Sequence, residues 1–456
     1  MDQLRITGSQ PETNTKKPLR VLVEAGDGRT NSAIFENGFL NHCLSLGAEV
    51  HVLSPGVCFE PFVERYRLPG TRFYYLSSQL AHKKKYRYLI RMEEYIRNVL
   101  VRRGFGRAHH WLWKIFGAWA NAADAAALND LLNEIQPDCL ISADINLDTS
   151  RGLIALCQLK GIPTIGNVFS WDHPFRPHKS RPDRLTCWSE FMRDQLVKIG
   201  GFLPEQVEII GAPAFDPYGD PSNIRTREDF CETIGLDPAR PILLFATMGQ
   251  MGPYWDETGT FRAFLEAMDH AALPGPPQVV LRLHPVSVDH YFDEFRDRKD
   301  LVFSRYSRYC PGMRWWPSRD EIVLAGNLLR HADVCISPGS TMTIEAAIFD
   351  TPTIVPTFNP IMSEEYDHHF KQICLSKHFR FLIEENTVCM TDTPEELIQA
   401  VRQALSDPGW FAEGRQRIRD YVTGPLDGRA TERLAAAAVE CAKLSAADTE
   451  SDTTGK

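Results

Sequence analysis

The sequence predicts an α/β protein built from two doubly wound, parallel-sheet domains in tandem. Three observations predict it. Short runs rich in β-branched and apolar residues alternate with stretches of helical spacing, as strands joined by crossover helices do. The alternation stops at a Pro-, Gly- and Asp-rich stretch, "GAPAFDPYGDPSN" (Gly211–Asn223), and then restarts. The 456 residues are too many for one ordinary core.

The elements follow in order. Residues 1–18 are polar and are expected to be a disordered tail. A first domain is expected over 19–215. It begins at "LRVLVEA" (Leu19–Ala25), an apolar strand running into Gly-Asp-Gly. "AEVHVLSP", "DCLISAD", "TIGNVFS", "RLTCWSE" and "VEIIGAP" read as its further strands, and Ser32–Leu46 and Asn121–Ile135 carry helical spacing. A second domain is expected over 216–430. Its strands are "PILLFATM" (Pro241–Met248), "QVVLRLHP" (Gln278–Pro285), "LVFSRY", "DVCISPGS" and "PTIVPTF", with helical spacing at Thr260–Met268. A C-terminal helix and a disordered tail are expected over 431–456. Ligands of doubly wound sheets bind at the carboxyl ends of the strands. In a tandem pair those ends are expected to face each other across a cleft.

Composition narrows the function. The chain is 43% hydrophobic and 24% charged, and its net charge is −9, which argues against a general nucleic-acid binder. No apolar run is long enough to span a bilayer. The N-terminal stretch has no apolar h-region, so no secretory signal is expected. Eleven cysteines are scattered without a C-x-x-C pair and read as reduced thiols of a cytoplasmic protein, not as disulfides or a zinc site.

The chemistry concentrates at strand ends. In "ADVCISPGSTMTIEAAIFD" a strand gives way to Pro338, Gly339, Ser340 and Thr341 and then to a helix carrying Glu345. Such a turn is either an N-cap or a phosphate cradle of backbone N–H groups. In "LRLHP", Arg282 alternates with Leu281 and Leu283, and His284 sits where the strand stops, able to donate to a phosphate oxygen. In "ILLFATMGQ", Thr247 and Gly249 end another strand, and the glycine permits close approach of a ligand. In "VEAGDGRTNS", Gly26 and Gly28 flank Asp27. The third glycine of a dinucleotide fingerprint is missing, so NAD is not expected. Asp27 reads either as a general base for an acceptor hydroxyl or as a turn residue. No DxD-type motif ends a strand, and neither a metal nor a cofactor is expected.

The stretch "NVFSWDHPFRPHKSRPDRLTCWSEFMRDQLVKIGGFLPEQVEIIGAPAFDPY" (Asn167–Tyr218) resembles the surface-polysaccharide glycosyltransferases and the related CDP-glycerol glycerophosphotransferase-type proteins. The matching residues are Ser170, Trp171, Asp172, Lys179, Pro182, Asp183, Arg184, Trp188, Met192, Gly211, Ala212, Pro213, Phe215 and Asp216. His284-Pro285 and the turn and helix Ser337–Ala346 continue the likeness. It covers residues 165–360 in patches. The sequence departs from it at His173, where the family often has Asn, and in the longer run before Lys179. The resemblance implies a GT-B fold, two Rossmann-like domains with a nucleotide-sugar donor held mainly by the second. Glu345 resembles the residue that many GT-B enzymes place on the donor ribose. "GDG" followed by "HP" partly resembles bacterial sialyltransferases of this fold, which use a CMP-activated donor.

One segment stands apart. "HKKKYRYLIRMEEYIRNVLVRRGFGRAHHWLWKIF" (His82–Phe116) sets ten Lys or Arg against two Glu, interleaved with aromatics, in an acidic chain. It reads as a basic face in solvent or as a peripheral contact with an anionic membrane surface.

The combined expectation is a metal-independent cytoplasmic glycosyltransferase. It moves a sugar or polyol-phosphate from a nucleotide-activated donor to a glycan or lipid-linked acceptor in cell-envelope polysaccharide synthesis. Asp27, with Asp172 as substitute, is the expected base, and His284 the group on the leaving phosphate. The rivals are a nucleotide-sugar 2-epimerase-like enzyme and a non-catalytic nucleotide-sugar-binding assembly subunit.

Overall fold

A computed structural model describes residues 5–6, 18–76, 87–103, 105, 108, 111–176, 178, 180–249, 257–285, 287, 289–305, 307, 309–310, 312–361 and 376–454. They form two compact units. The first comprises 1–219, 310–316 and 424–456, and the second 220–309 and 317–423.

The first unit is built on β1 (Arg5–Ile6), β2 (Leu19–Glu24), β3 (Ala48–Ser54), β4 (Thr71–Tyr75), β5 (Cys139–Ser142), β6 (Thr164–Asn167), β7 (Arg184–Cys187) and β8 (Val207–Ile209). Their order across the sheet is β1-β4-β3-β2-β5-β6-β7-β8. All pairings are parallel except β1 on β4. Both faces are covered, so the strands are apolar at successive positions instead of alternating. Val21, Val23, Val50, Val52 and Ile141 pack on one side with Phe39, Cys43, Leu434 and Ala438. Leu22, Leu53 and Leu140 pack on the other with Leu128, Leu132 and Leu153. Each such burial contributes about 1.5–3 kcal/mol.

The second unit contains β9 (Ile242–Ala246), β10 (Gln278–Leu283) and β11 (Leu301–Arg305). β12 (Tyr309–Cys310) and β13 (Arg314–Trp315), which lie almost wholly in the 310–316 stretch of the first unit, pair with each other as a two-stranded sheet. Then come β14 (Val334–Ile336), β15 (Thr353–Pro356) and β16 (Val388–Thr391). The main sheet runs β11-β10-β9-β14-β15-β16, parallel throughout. Leu243, Phe245 and Leu281 face Phe261, Phe264 and Leu397, while Ile242, Leu244 and Val280 face Leu328, Leu329 and Ala346. The expected doubly wound architecture is present in both units.

Several boundaries differ from expectation. Helical spacing over Ser32–Leu46 becomes two helices, Gly28–Phe35 and Phe39–Ser45, parted by Gly38 at φ 85°. Asn121–Ile135 is likewise interrupted between helices Ala118–Asp124 and Asn129–Ile135. Arg5–Ile6, placed in a disordered tail, form an edge strand; the rest of 1–17 lies outside the described residues. The C-terminal segment is one helix, Ala430–Thr454, helical well into the stretch expected to be a tail. Among the described residues no helix is long and apolar enough to cross a membrane.

That last helix belongs to the first unit. Its apolar side, Leu434, Ala435 and Ala438, joins the core beneath β2 and β5. Its N-terminus is held by Asp216, whose two carboxylate oxygens accept the N–H groups of Ala430 and Thr431, each at 2.8 Å. Burial pushes the Asp216 carboxyl up, and the amides oppose this. A carboxylate on a helix N-terminus satisfies orphan donors and the helix dipole together. Asp216→Ala should therefore lower stability by about 1–3 kcal/mol and Asp216→Asn by roughly half as much. Urea unfolding checks this; an Asp216→Ala curve that overlays the wild type would contradict it.

Candidate functional site

In each sheet the winding direction reverses once, between β2 and β5 in the first unit and between β9 and β14 in the second. At such a reversal the flanking loops diverge and leave a crevice at the carboxyl edge.

In the second unit β9 pairs with both β10 and β14, so three predicted strand ends are neighbours at one edge. After β14, Ser340 caps the helix Thr341–Ile348 by accepting the Met342 N–H at 3.2 Å. Its Oγ lies 3.1 Å from Ser337 Oγ. Gly339 adopts φ +74°, where a side chain would be strained. Thr343, one turn in, is fully buried with no hydrogen-bond partner on its hydroxyl among the described residues. After β10, the His284 N–H donates to Thr247 Oγ1 at 2.9 Å, and Thr247 Oγ1 lies 3.0 Å from Ser287 Oγ. Pro338, Gly339, Ser340, Thr341, Thr247 and His284 thus sit on adjoining strand ends. Ser287, missed in the sequence, joins them through its hydroxyl contact with Thr247.

Three further expected residues of this unit lie as follows. The amides after β9 are already bonded: Met248 N–H and Gly249 N–H both donate to the Glu257 carboxylate, at 2.9 and 3.0 Å. Gly249 therefore frames a turn around an internal carboxylate. Arg282, the next-to-last residue of β10, is buried, and its Nη1 donates to Ser304 Oγ of β11 at 3.4 Å. Glu345 is half-buried on its helix. Burial pushes the neighbouring Cys335 thiol up to about 12; the Glu345 charge adds to this and that of Arg282 opposes it.

In the first unit Asp27 takes the turn role of its two sequence readings. Its Oδ1 accepts the Thr30 N–H at 2.9 Å, capping the helix Gly28–Phe35, and its Oδ2 takes Arg29 Nη2 at 2.7 Å. Both oxygens are committed, which is the turn role of an Asp after a strand. Gly28 is required by backbone, not by a ligand. Its N–H donates to Met313 O at 2.8 Å, and a Cβ there would lie 2.1 Å from Trp315 O. Gly26 likewise leaves no room, since a Cβ would fall 2.8 Å from Thr149 Oγ1 and 2.9 Å from Glu24 Oε1. Asp172 accepts from Ser170 Oγ and Arg176 Nη2. Lys179 lies outside the described residues.

The same edge holds a group that the motifs did not reveal. Glu24, the last residue of β2, is fully buried. It accepts from Ser142 Oγ at 2.9 Å, Thr149 Oγ1 at 2.8 Å and Ser150 Oγ at 2.8 Å. Burial raises its pKa to about 7 against the pull of these hydroxyls, and the nearby Asp144 raises it further. Asp144 follows β5 and His173 follows β6, and both are buried. His173 Nδ1 stands 3.4 Å from Asp144 Oδ1. Nδ1 is buried and makes no hydrogen bond among the described residues. The signal in the sequence was a polar residue closing each apolar run, Glu24 in "LRVLVEA" and Asp144 in "DCLISAD", with His173 at the departure from the family pattern. Among the described residues no three His, Cys, Asp or Glu side chains are placed to hold a metal ion.

No family model and no curated protein matches this sequence. Solved structures match over nearly the whole chain at low identity. A putative UDP-N-acetylglucosamine 2-epimerase from Listeria monocytogenes is 12% identical, covers 93% of this chain and 96% of its own, and has a TM-score of 0.56. The wall teichoic acid polymerase TagF, soaked with CDPG, is 9% identical over 94% and 90%, with a TM-score of 0.52. A glycosyltransferase from Rickettsia africae is 11% identical over 93% and 99%, with a TM-score of 0.50. These likenesses establish the GT-B fold.

The buried Glu24 makes stability depend on pH. An unfolded glutamate titrates near 4.5, whereas the folded one titrates near 7. Its contribution is therefore fully present below about 4.5 and is lost as pH rises through about 7. Glu24→Gln should gain on the wild type by on the order of 2–3 kcal/mol between pH 5 and pH 8. Urea titrations at the two pH values measure this; a gap independent of pH would show that Glu24 does not titrate there.

Proposed function

We propose that the protein is a nucleotide-sugar transferase that moves a sugar or polyol-phosphate from a nucleotide-activated donor to a hydroxyl of a glycan or lipid-linked acceptor. The observation that carries this reading is that the Ser337–Thr341 turn, Thr247 and His284 follow the three neighbouring strands β14, β9 and β10 at one sheet edge. Hydroxyls, a helix start and an imidazole suit the oxygens of a phosphate or diphosphate. They would stabilise the charge that develops on the leaving phosphate. Glu345 is the proposed contact to the donor ribose.

Proton removal from the acceptor falls to His173. The His173 imidazole sits beside the Asp144 carboxylate, whose charge would stabilise the imidazolium that forms. This pair replaces Asp27, whose oxygens are occupied by the cap and by Arg29.

A second reading has its own observation. Glu24, Asp144 and His173 bring acid–base groups together at one sheet edge, as a 2-epimerase acting on a nucleotide sugar would need. Solved 2-epimerases share the fold as well as the transferases do. Incubation with UDP-, GDP-, CMP- and CDP-activated compounds, followed by NMR, separates the readings. Slow donor hydrolysis without acceptor supports transfer, and interconversion of free nucleotide sugars supports epimerisation.

His284→Ala and Ser340→Ala should each weaken nucleotide binding by roughly tenfold or more, the scale of a lost hydrogen bond to a charged group. Calorimetry with a nucleotide ligand that binds the wild type checks this, and unchanged affinity in both variants would overturn the phosphate assignment. His173→Ala should keep nucleotide affinity and lower turnover by about a hundredfold or more. Undiminished turnover would remove His173 from the chemistry.

A further inference from the structure

We propose that the helix Arg87–Arg102 and the aromatic residues that follow it form a docking surface for an anionic lipid membrane. Tyr88, Arg91, Met92 and Tyr95 recur at helical intervals of three and four, so they share one stripe. All four are exposed, Tyr88 at 77% and Tyr95 at 71%. The adjoining stripe, Leu89, Ile96 and Leu100, is half-buried. The helix packs on helix Ala118–Asp124. Its apolar face is thus wider than the described residues cover, with two tyrosines and a methionine exposed.

The aromatic exposure continues along the chain. Phe105 is 58% exposed, Trp111 63% and Trp119 50%, while Trp113, two residues from Trp111, is buried in the core and donates to Gln158. A soluble surface rarely presents this many large aromatics so close in sequence. Tyrosine and tryptophan are the side chains that favour the headgroup boundary of a bilayer.

Charge selects the occupant. The segment His82–Phe116 carries ten Lys or Arg and two Glu in a chain of net charge −9. Arg91 lies on the aromatic stripe, and Arg103, also exposed, follows the helix. Lys83, Lys84 and Lys85 precede it in sequence, outside the described residues. Cations interleaved with exposed aromatics complement a surface that is negative above and apolar below.

The test is flotation of the full chain with phosphatidylcholine vesicles, with and without phosphatidylglycerol. The protein should float with the anionic vesicles at low salt and release in large part at high salt. Tyr88→Ser/Tyr95→Ser should reduce partitioning by roughly tenfold or more at low salt, since burial of each ring favours binding on that scale. Brominated lipid should quench wild-type tryptophan emission more than that of Trp111→Phe, which reads insertion without altering the helix. Failure to float with anionic vesicles at low salt overturns the proposal. So does capture that is unchanged in the tyrosine variant or matched by heparin beads for both proteins, which would mark a solvated basic face or a general polyanion site.

Discussion

A parallel sheet must turn its crossovers in two directions if both faces are to be covered, and that requirement leaves one opening at the carboxyl edge of each sheet. Here the openings fall between β2 and β5 and between β9 and β14. The chain places its small, polar and ionisable residues at those two openings: Glu24, Asp27 and Asp144 at one, Thr247, Ser337 and Ser340 at the other. Elsewhere the strands are mainly apolar, with single buried polar residues such as His51, Thr164 and Gln278.

What happens to the carboxylates shows how much of this polarity serves the fold itself. Asp216 closes the start of the last helix, Asp27 caps a helix and pairs with Arg29, and Glu257 fills the amides after β9. Each is saturated by backbone or cationic donors and therefore suits structure better than proton transfer. Glu24 differs because its donors are hydroxyls in a fully buried pocket and do not offset its desolvation. Asp144 differs because it faces an imidazole. The first environment raises the Glu24 carboxyl to about 7.

The architecture was legible because it rests on periodicity. Runs such as "PILLFATM" and "QVVLRLHP" are apolar at successive positions, which only a doubly covered strand allows, and the hinge-like stretch marks where the pattern restarts. The turn after β14 was legible because glycine, proline and serine have fixed backbone uses. The roles of single residues were less so. Arg282 looked like a strand-end ligand because a strand shows alternation but not depth. Gly28 looked like a ligand glycine, but the backbone that crowds it, Trp315, lies far along the chain. His173 drew notice only as a departure, since its partner Asp144 comes from another strand. Asp216 was read as a family motif, whereas its bonds reach residues 430 and 431, more than two hundred positions later.

The proposed phosphate cradle after β14 is tested most directly by hydrogen–deuterium exchange with and without a saturating nucleoside diphosphate. Bound oxygens slow exchange of the amides that hold them. Protection is expected in peptides covering Ser337–Glu345 and Thr247–Gly249 or His284–Ser287, with little change in the helix Ala430–Thr454. Saturation that leaves Ser337–Glu345 exchanging at its free rate, with protection appearing in the first unit instead, would contradict the assignment.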